Sequence, residues 1–463
     1  MGSPRILSFF DPGLGNSSYL IAPAVGSEAA VIDPQRDVDQ YLNAAKGLGV
    51  EVTHVFDTHL HADFVSGARE LAELSGAEIA ASAGARAEFA HRPLREGDRV
   101  DVGDLVLTAL ETPGHSPEHL AVLLSPRDRV EPQVLFSGGA LMVGGAARTD
   151  LLGEALSVPL ARQLYHTLHE KLLKLPDSVQ VLPTHGAGSF CAAPVSKERA
   201  STIGKERASN PLAQPQTEEE FVRRALSGLP SYPVYFREMR VVNQRGPRVF
   251  RGLPPVPAWT AGQVREWVQG GGAVVDVRSA AAFAAGHIPQ SYSMGTDVWI
   301  ETWAGWMIPF GTPLVFLADT GEELDDAVRQ VFRIGYDDLR GHLRGGMAAW
   351  RAAGLPMGTI PSLNARELRE RLASRDAPIV LDIRFDKEWK RGHIPGATHM
   401  ENGRLAWEDL PFPPEGAIAV TCATGGRSMT GISVLARRGY RHLYQVQGGF
   451  TAWAESGLPV ERS

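Results

Sequence analysis

Cysteine is almost absent from this chain. Two thiols, Cys191 and Cys422, occur in 463 residues, too few for a disulfide framework, so a reducing compartment, the cytoplasm, is expected. No apolar run approaches the roughly 18–20 residues that span a bilayer. The opening MGSPRILSFFDPGLG turns polar after one arginine, unlike a secretory signal. Basic runs are missing too. With a formal net charge of -7, neither nucleic acid nor an anionic membrane is expected as a partner. Hydrophobic side chains are plentiful at 43%, enough for several buried cores. At roughly 100–200 residues per domain, the length predicts two to four of them.

An internal repeat organises the second half. VVDVR (274–278) matches VLDIR (380–384), and GHIPQS (286–291) matches GHIPGA (392–397). RIGYDDL (333–339) matches RRGYRHL (437–443), and GGMAAWRAAGLP (345–356) matches GGFTAWAESGLP (448–459). Four landmarks in one order at a nearly constant offset predict two tandem copies of one domain. Each copy opens on an amphipathic helix and continues as short β-branched strands alternating with helices, the pattern of a parallel α/β sheet. The first half reads differently. Strands ILSFF, YLIAP, AAVID and THVFD lead into helices, then LVLTAL, HLAVLL and VLFS and a helix near 160–174, which predicts an αββα sandwich. Residues 192–257, rich in Pro, Ser and charge with a helical stretch at TEEEFVRRALSG, read as that domain's tail and a linker. The expected domains are 1–245, 256–358 and 361–463.

Cys422 follows the apolar strand AIAVT and opens the run Cys422, Ala423, Thr424, Gly425, Gly426, Arg427, with a helix starting at Ser428. Small residues and two glycines let the backbone curl until several amide N–H groups face inward as an anion nest. The helix adds its positive N-terminal end, and Arg427 closes the loop with a fixed charge. Such a loop favours a sulfur anion. The first copy has no cysteine. Counting back from the shared Arg-x-Gly-Tyr landmark puts its nucleophile position at Ala318 or Asp319, with acidic Glu322 and Glu323 where arginine should be. It cannot carry sulfur covalently and is expected to serve structure or docking. The apolar stretch 298–310 is read as a contact between domains or subunits, or as a loop packed on its own domain.

In the first half, His59, His61 and Asp63 stand in THLHADF directly after a strand, with His115 in TPGHSPEH and His185 in LPTHGAGSF. Histidines at i and i+2 on a loop leaving a strand can face one cation.

These motifs carry two resemblances. The Cys422 loop, with DIR, GHIPGA and GGFTAW around it, resembles the rhodanese family over about 360–463. That implies sulfane sulfur carried on Cys422 as a persulfide, with Arg427 shaping the loop. HADFVSG, TPGHS, RTDLLG and THGAGSFC resemble the persulfide dioxygenase branch of the metallo-β-lactamase fold over about 1–245. The whole chain is thus similar to multidomain persulfide dioxygenase–sulfurtransferases. The fold class implied is α/β, an αββα metallo-β-lactamase sandwich followed by two rhodanese domains. The branch implies one non-haem Fe(II) held by His59, His115 and a carboxylate. The carboxylate position falls on Gly139, and Phe64 replaces the last histidine of the two-metal motif, so a dinuclear hydrolase is not expected. His61, Asp63 and His185 are left as substitute ligands or supporting groups, and Arg148 as the holder of a substrate carboxylate or a partner in a surface salt bridge. Cys191 is expected to lie near the pocket in a packing role. The implied substrates are a low-molecular-weight thiol persulfide of glutathione type, thiosulfate and sulfite. The alternative is a sulfurtransferase alone, with the first domain a thiol-binding scaffold. A homo-oligomer is compatible with either.

Overall fold

The computed structural model describes residues 3–129, 131–192, 196–295 and 298–462, so the expected domain ends at 1 and 463 lie outside the described residues. The chain divides into two compact units, Met1–Leu253 with Phe332–Gly335, and Pro254–Val331 with Tyr336–Ser463. None of the described helices is long and apolar enough to cross a membrane.

The N-terminal unit is built on two six-stranded sheets. One runs in the order Arg5–Asp11, Asn16–Ala22, Glu28–Ile32, Glu51–Asp57, Glu78–Ser82, Arg92–Leu94. The other runs Ser201–Thr202, Gln180–Pro183, Val134–Gly138, Leu120–Pro126, Leu105–Glu111, Arg99–Val102. Strand Asn16–Ala22 is buried along its whole length, because successive side chains enter different cores. Tyr19 and Ile21 join Phe56, Leu107 and Phe136 between the sheets, while Leu20 and Ala22 meet Tyr41 and Leu71 of the flanking helices. On the far side Leu164 and Leu168 cover Val181 and Leu135. The layers are therefore α, β, β, α.

Residues 192–257 are more than a tail and linker. Helices Ile203–Ser209, Glu218–Leu226 and Phe236–Arg245 carry buried Ile203, Phe221 and Met239. A polar composition concealed the few apolar positions that dock them. Residues 193–195 of that stretch lie outside the described residues.

The C-terminal unit contains two five-stranded sheets of the same order. The first is Ala258–Trp259, Leu339–Leu343, Leu314–Leu317, Ala273–Asp276, Tyr292–Ser293, and the second is Ser362–Leu363, His442–Val446, Ala417–Thr421, Ile379–Asp382, Thr398–His399. Every pairing in both is parallel. The repeated sequence landmarks make repeated contacts. Arg278 and Arg384 fold back onto Asp276 and Asp382, and Trp350 and Trp453 donate to the carbonyls of Pro356 and Pro459.

Helix Ile300–Met307, inside the stretch 298–310, is buried at all eight positions. The second copy covers it: a Cβ on Gly403 would stand 2.1 Å from the Trp306 ring, and Trp407 Nε1 donates to the Trp306 carbonyl at 2.6 Å. Truncating so large a buried ring costs about 3–5 kcal/mol. Trp306→Ala should therefore lower the denaturant midpoint of the C-terminal unit, read by circular dichroism, and an unchanged midpoint would remove Trp306 from the contact between copies.

Candidate metal and sulfur-transfer sites

All the sequence-predicted groups of the first half gather where strands of both sheets end, the place where open α/β sheets present ligand-binding loops. His59, His115 and His185 are buried, and their nearest ring nitrogens all lie within 4.8 Å of one another. His59 Nε2 and His185 Nε2 stand 3.2 Å apart. Each ring is held from behind through Nδ1: His59 by Thr58 Oγ1 at 2.9 Å, His115 by the Arg148 carbonyl at 2.7 Å, and His185 by Asn16 Oδ1 at 2.9 Å. Burial, reinforced by the other imidazoles, pushes His59 well below the usual histidine range. Burial and His185 bring His115 down to about 4.

His61 takes another course. Its Nε2 lies 3.2 Å from Asp33 Oδ1, and Phe64 stacks on the ring at 4.2 Å. Burial alone would lower His61 and raise Asp33, but the pair outweighs it, so His61 is raised and Asp33 lowered. Asp33 also accepts Thr58 N at 2.7 Å, Thr58 Oγ1 at 2.8 Å and the Thr184 hydroxyl. Asp63 sits behind His185, its Oδ2 3.3 Å from Nδ1. Burial works against its charge, yet His185 and His61 hold it below the usual carboxylate range.

Gly139 packs directly on His115. A Cβ there would stand 2.7 Å from His115 Cδ2 and 2.9 Å from the Ala147 Cβ. Restoring a carboxylate is thus a rearrangement of the site and not a simple addition to it. The donor set of two histidines and one carboxylate at 139 does not exist in this chain.

Arg148 departs from the substrate-holding role. Its guanidinium grips Asp150 at 2.6 and 2.7 Å, and Nη1 donates to the carbonyls of Phe190 and Pro230. With those donors spent inside the fold and the residue 3% exposed, Arg148 is a brace and does not face a substrate. Cys191 is fully buried, and burial together with the Asp63 charge pushes its thiol well up. It packs inside the fold near Asp63.

Several participants escape sequence reading. His119 is a fifth buried histidine, its Nε2 accepting the Gly139 N–H at 2.9 Å and its Nδ1 facing Thr112 Oγ1 at 2.8 Å. The tail helix Phe236–Arg245 pins the histidine loop: Asn243 donates to the carbonyls of His61 and Phe64. Arg240 holds Glu118, which accepts Leu60 N. Only the last histidine of TPGHSPEH could have flagged His119; the others have no local signal. In front of the histidines lies a cavity of about 100 Å³ bounded by His59, His115, Leu151, Phe236 and Arg237. A cavity of that size has room for water or a small ligand group beside the histidines.

In the C-terminal unit, Cys422 ends strand Ala417–Thr421 and is 1% exposed. Gly425 N donates to Cys422 Sγ at 3.1 Å. Gly425 has φ 104°, a left-handed conformation that glycine adopts freely, and helix Gly426–Arg437 begins directly after it. Gly449 presses on the loop from outside, where a Cβ would meet the Cys422 and Ala423 carbonyls at 2.4 and 2.6 Å. The Ser428 hydroxyl is buried with no hydrogen-bond partner. Arg427 does not stand alone: Glu388 binds it through two contacts of 2.8 and 2.6 Å. Burial alone would raise Glu388, but Arg427 outweighs it and holds the carboxylate below its usual range.

The strand register settles the corresponding position in the first copy. Asp276 lies opposite Leu317 as Asp382 lies opposite Thr421, so Ala318 takes the place of Cys422 and Glu323 that of Arg427. The substitution does more than repel. Glu323 Oε2 accepts the amides of Asp319 at 2.9 Å and Thr320 at 3.2 Å. Thr320 Oγ1 in turn accepts the Glu323 amide at 3.1 Å, so a carboxylate of the chain itself holds two amides of this loop.

A two-sheet αββα sandwich with histidines at its strand ends defines a metal-binding hydrolase-like fold, and the paired parallel sheets with a cysteine loop define sulfurtransferase modules. The metallo-β-lactamase superfamily matches residues 11–185, and the rhodanese-like domain matches 260–353 and 364–456. Within that superfamily the chain belongs to the persulfide dioxygenase family, with two rhodanese-like domains fused behind it. It is 30% identical to the persulfide dioxygenase ETHE1 of Mus musculus over 203 residues, 43% of this chain and 75% of that protein. The Homo sapiens protein is 29% identical over 227 residues, 48% and 81% respectively. A solved structure described as a metallo-β-lactamase from Staphylococcus aureus subsp. aureus COL is 30% identical, covers 74% of this chain and 99% of that one, and superposes with a TM-score of 0.65.

Two outcomes test the loops. Ala318→Cys in a Cys422→Ser background should stay unlabelled by radioactive thiosulfate while Glu323 occupies the nest; labelling would refute the occlusion. Arg427→Ala leaves Glu388 as an unpaired, part-buried charge and should slow persulfide formation at least about tenfold, roughly 1.4 kcal/mol. Adding Glu388→Ala should recover part of that rate, and equal rates in the two variants would uncouple Glu388 from the loop.

Proposed function

We propose a two-centre enzyme of sulfane-sulfur metabolism, divided at about 1–245, 256–358 and 361–463. Cys422 carries the transferred sulfur. Its thiolate attacks the outer sulfur of thiosulfate, the sulfur–sulfur bond to sulfite breaks, and sulfite leaves with the electron pair. Cyanide or a small thiol then takes the outer sulfur from the Cys422 persulfide, restoring the thiolate. The Gly425 amide aimed at Sγ at 3.1 Å is the observation that carries this reading, since it stabilises sulfur when it is anionic. The loop 422–428 binds the anion, and the Glu388–Arg427 pair fixes its wall.

The N-terminal unit uses O2 and water to oxidise the outer sulfur of a low-molecular-weight thiol persulfide, such as that of glutathione, to sulfite, releasing the thiol and two protons. Support comes from the persulfide dioxygenase relatives and from a cavity with room for a small ligand group, with the exposed Arg237 at its rim as the group placed to meet a carboxylate of the thiol carrier. Sulfite made at one centre is an acceptor at the other, so tethering them raises its local concentration. A reducing cytoplasm suits two thiols that remain unpaired. The alternative, a sulfurtransferase whose first unit is a scaffold, draws on the missing carboxylate at Gly139.

Cys422→Ser should abolish thiosulfate-dependent conversion of cyanide to thiocyanate. Residual turnover above the uncatalysed rate would remove Cys422 as the carrier.

A further inference from the structure

We propose that the N-terminal unit holds one divalent first-row transition cation on three histidines, His59, His115 and His185, in place of two histidines and a carboxylate. The inference rests on reading that unit as the oxygen-using half and supplies its ligand set.

The placement of ring hydrogens carries it. Thr58 has one hydroxyl hydrogen, and it goes to the Asp33 carboxylate at 2.8 Å. The Thr58 oxygen therefore accepts from His59 Nδ1 at 2.9 Å, so Nδ1 bears the ring hydrogen and Nε2 is a bare lone pair. The Arg148 carbonyl facing His115 Nδ1 at 2.7 Å can only accept, which fixes the same tautomer. Asn16 turns its amide nitrogen to Asp63 at 2.8 Å, leaving its oxygen to accept from His185 Nδ1 at 2.9 Å. Three independent partners thus leave three Nε2 lone pairs converging in one buried space.

The His59 and His185 nitrogens are 3.2 Å apart with no hydrogen left to place between them. Two nitrogens bound at about 2.0–2.2 Å to one cation, at 90–109°, stand about 2.8–3.6 Å apart. A proton would satisfy two of the three lone pairs; a metal ion satisfies all three. A backing hydrogen bond from the far ring nitrogen is also what metal-bound histidines use for orientation.

The other nearby groups are otherwise engaged. His119 Nε2 is consumed by the Gly139 amide. His61 Nε2 lies 3.2 Å from Asp33 Oδ1, and His61 also groups with Asp63 and His185 within 4.8 Å, so its substitution decides between the two sets. The place of the lost carboxylate is filled by the His115 ring packed on Gly139. Imidazole donors suit iron and zinc alike, so both ions enter the test.

The full-length protein is loaded anaerobically with Fe(II) or with Zn(II), passed through a desalting column and analysed for metal, with far-ultraviolet circular dichroism as the control for folding. About one equivalent is expected in the unmodified protein and in His61→Gln, and less than about a tenth of an equivalent in His59→Ala, His115→Ala and His185→Ala. Asn16→Leu, which frees the His185 ring, should weaken binding about 10–100-fold. His185→Gly should regain metal when imidazole is supplied, a result that a merely misfolded variant cannot give. Retention of metal by folded His185→Ala with loss in His61→Gln would overturn the ligand set, as would failure of the unmodified protein to take up either ion. Bound iron without oxygen uptake on persulfide would instead sink the oxygen-using reading and leave the ligand set standing.

Discussion

One buried carboxylate holds the N-terminal site together. Asp33 follows strand Glu28–Ile32 of one sheet and accepts the hydroxyl of Thr184, which follows strand Gln180–Pro183 of the other. It accepts both the amide and the hydroxyl of Thr58, and it stands 3.2 Å from His61 Nε2. A charge with no water around it is tolerated only when every lone pair is matched. The matching partners are what aim His59. An ion in the interior thus becomes an orienting device, acting through one threonine on a ring it does not touch.

The two centres solve different problems with the same raw material, backbone groups left over where strands stop. At Cys422 the Gly425 amide itself faces the sulfur. In the histidine pocket the leftover carbonyl of Arg148 and the amide of Gly139 each settle the state of one imidazole. Neither centre stands on an extended surface: both are built where the chain changes direction and where small residues let backbone and ring approach closely.

Much of this was legible in the sequence, for reasons that are local. The tandem copies show because each landmark acts on its own neighbourhood. The arginine of Asp-x-Arg binds the aspartate two residues away, and the tryptophan of the last helix binds a carbonyl six residues on. The Cys422 loop shows because a nest needs its glycines in consecutive order. What hid was long-range. Asn16 and His185 are 169 positions apart and Glu388 and Arg427 are 39, so no window of sequence contains both members of either pair. Arg148 misled for a related reason: a guanidinium next to a recognised motif reads as available until Asp150, Phe190 and Pro230 are seen to claim it. The histidines were visible as a set, but the groups that orient each ring come from distant strands.

The first copy's sealed nest bears on its history. Because Glu323 is tethered beside the amides it occupies, no dissolved anion of modest affinity displaces it. A thiol regained at position 318 would meet a loop already filled, and removing the glutamate alone would leave amides bare and no sulfur to receive. Return to chemistry needs two changes together, each useless by itself.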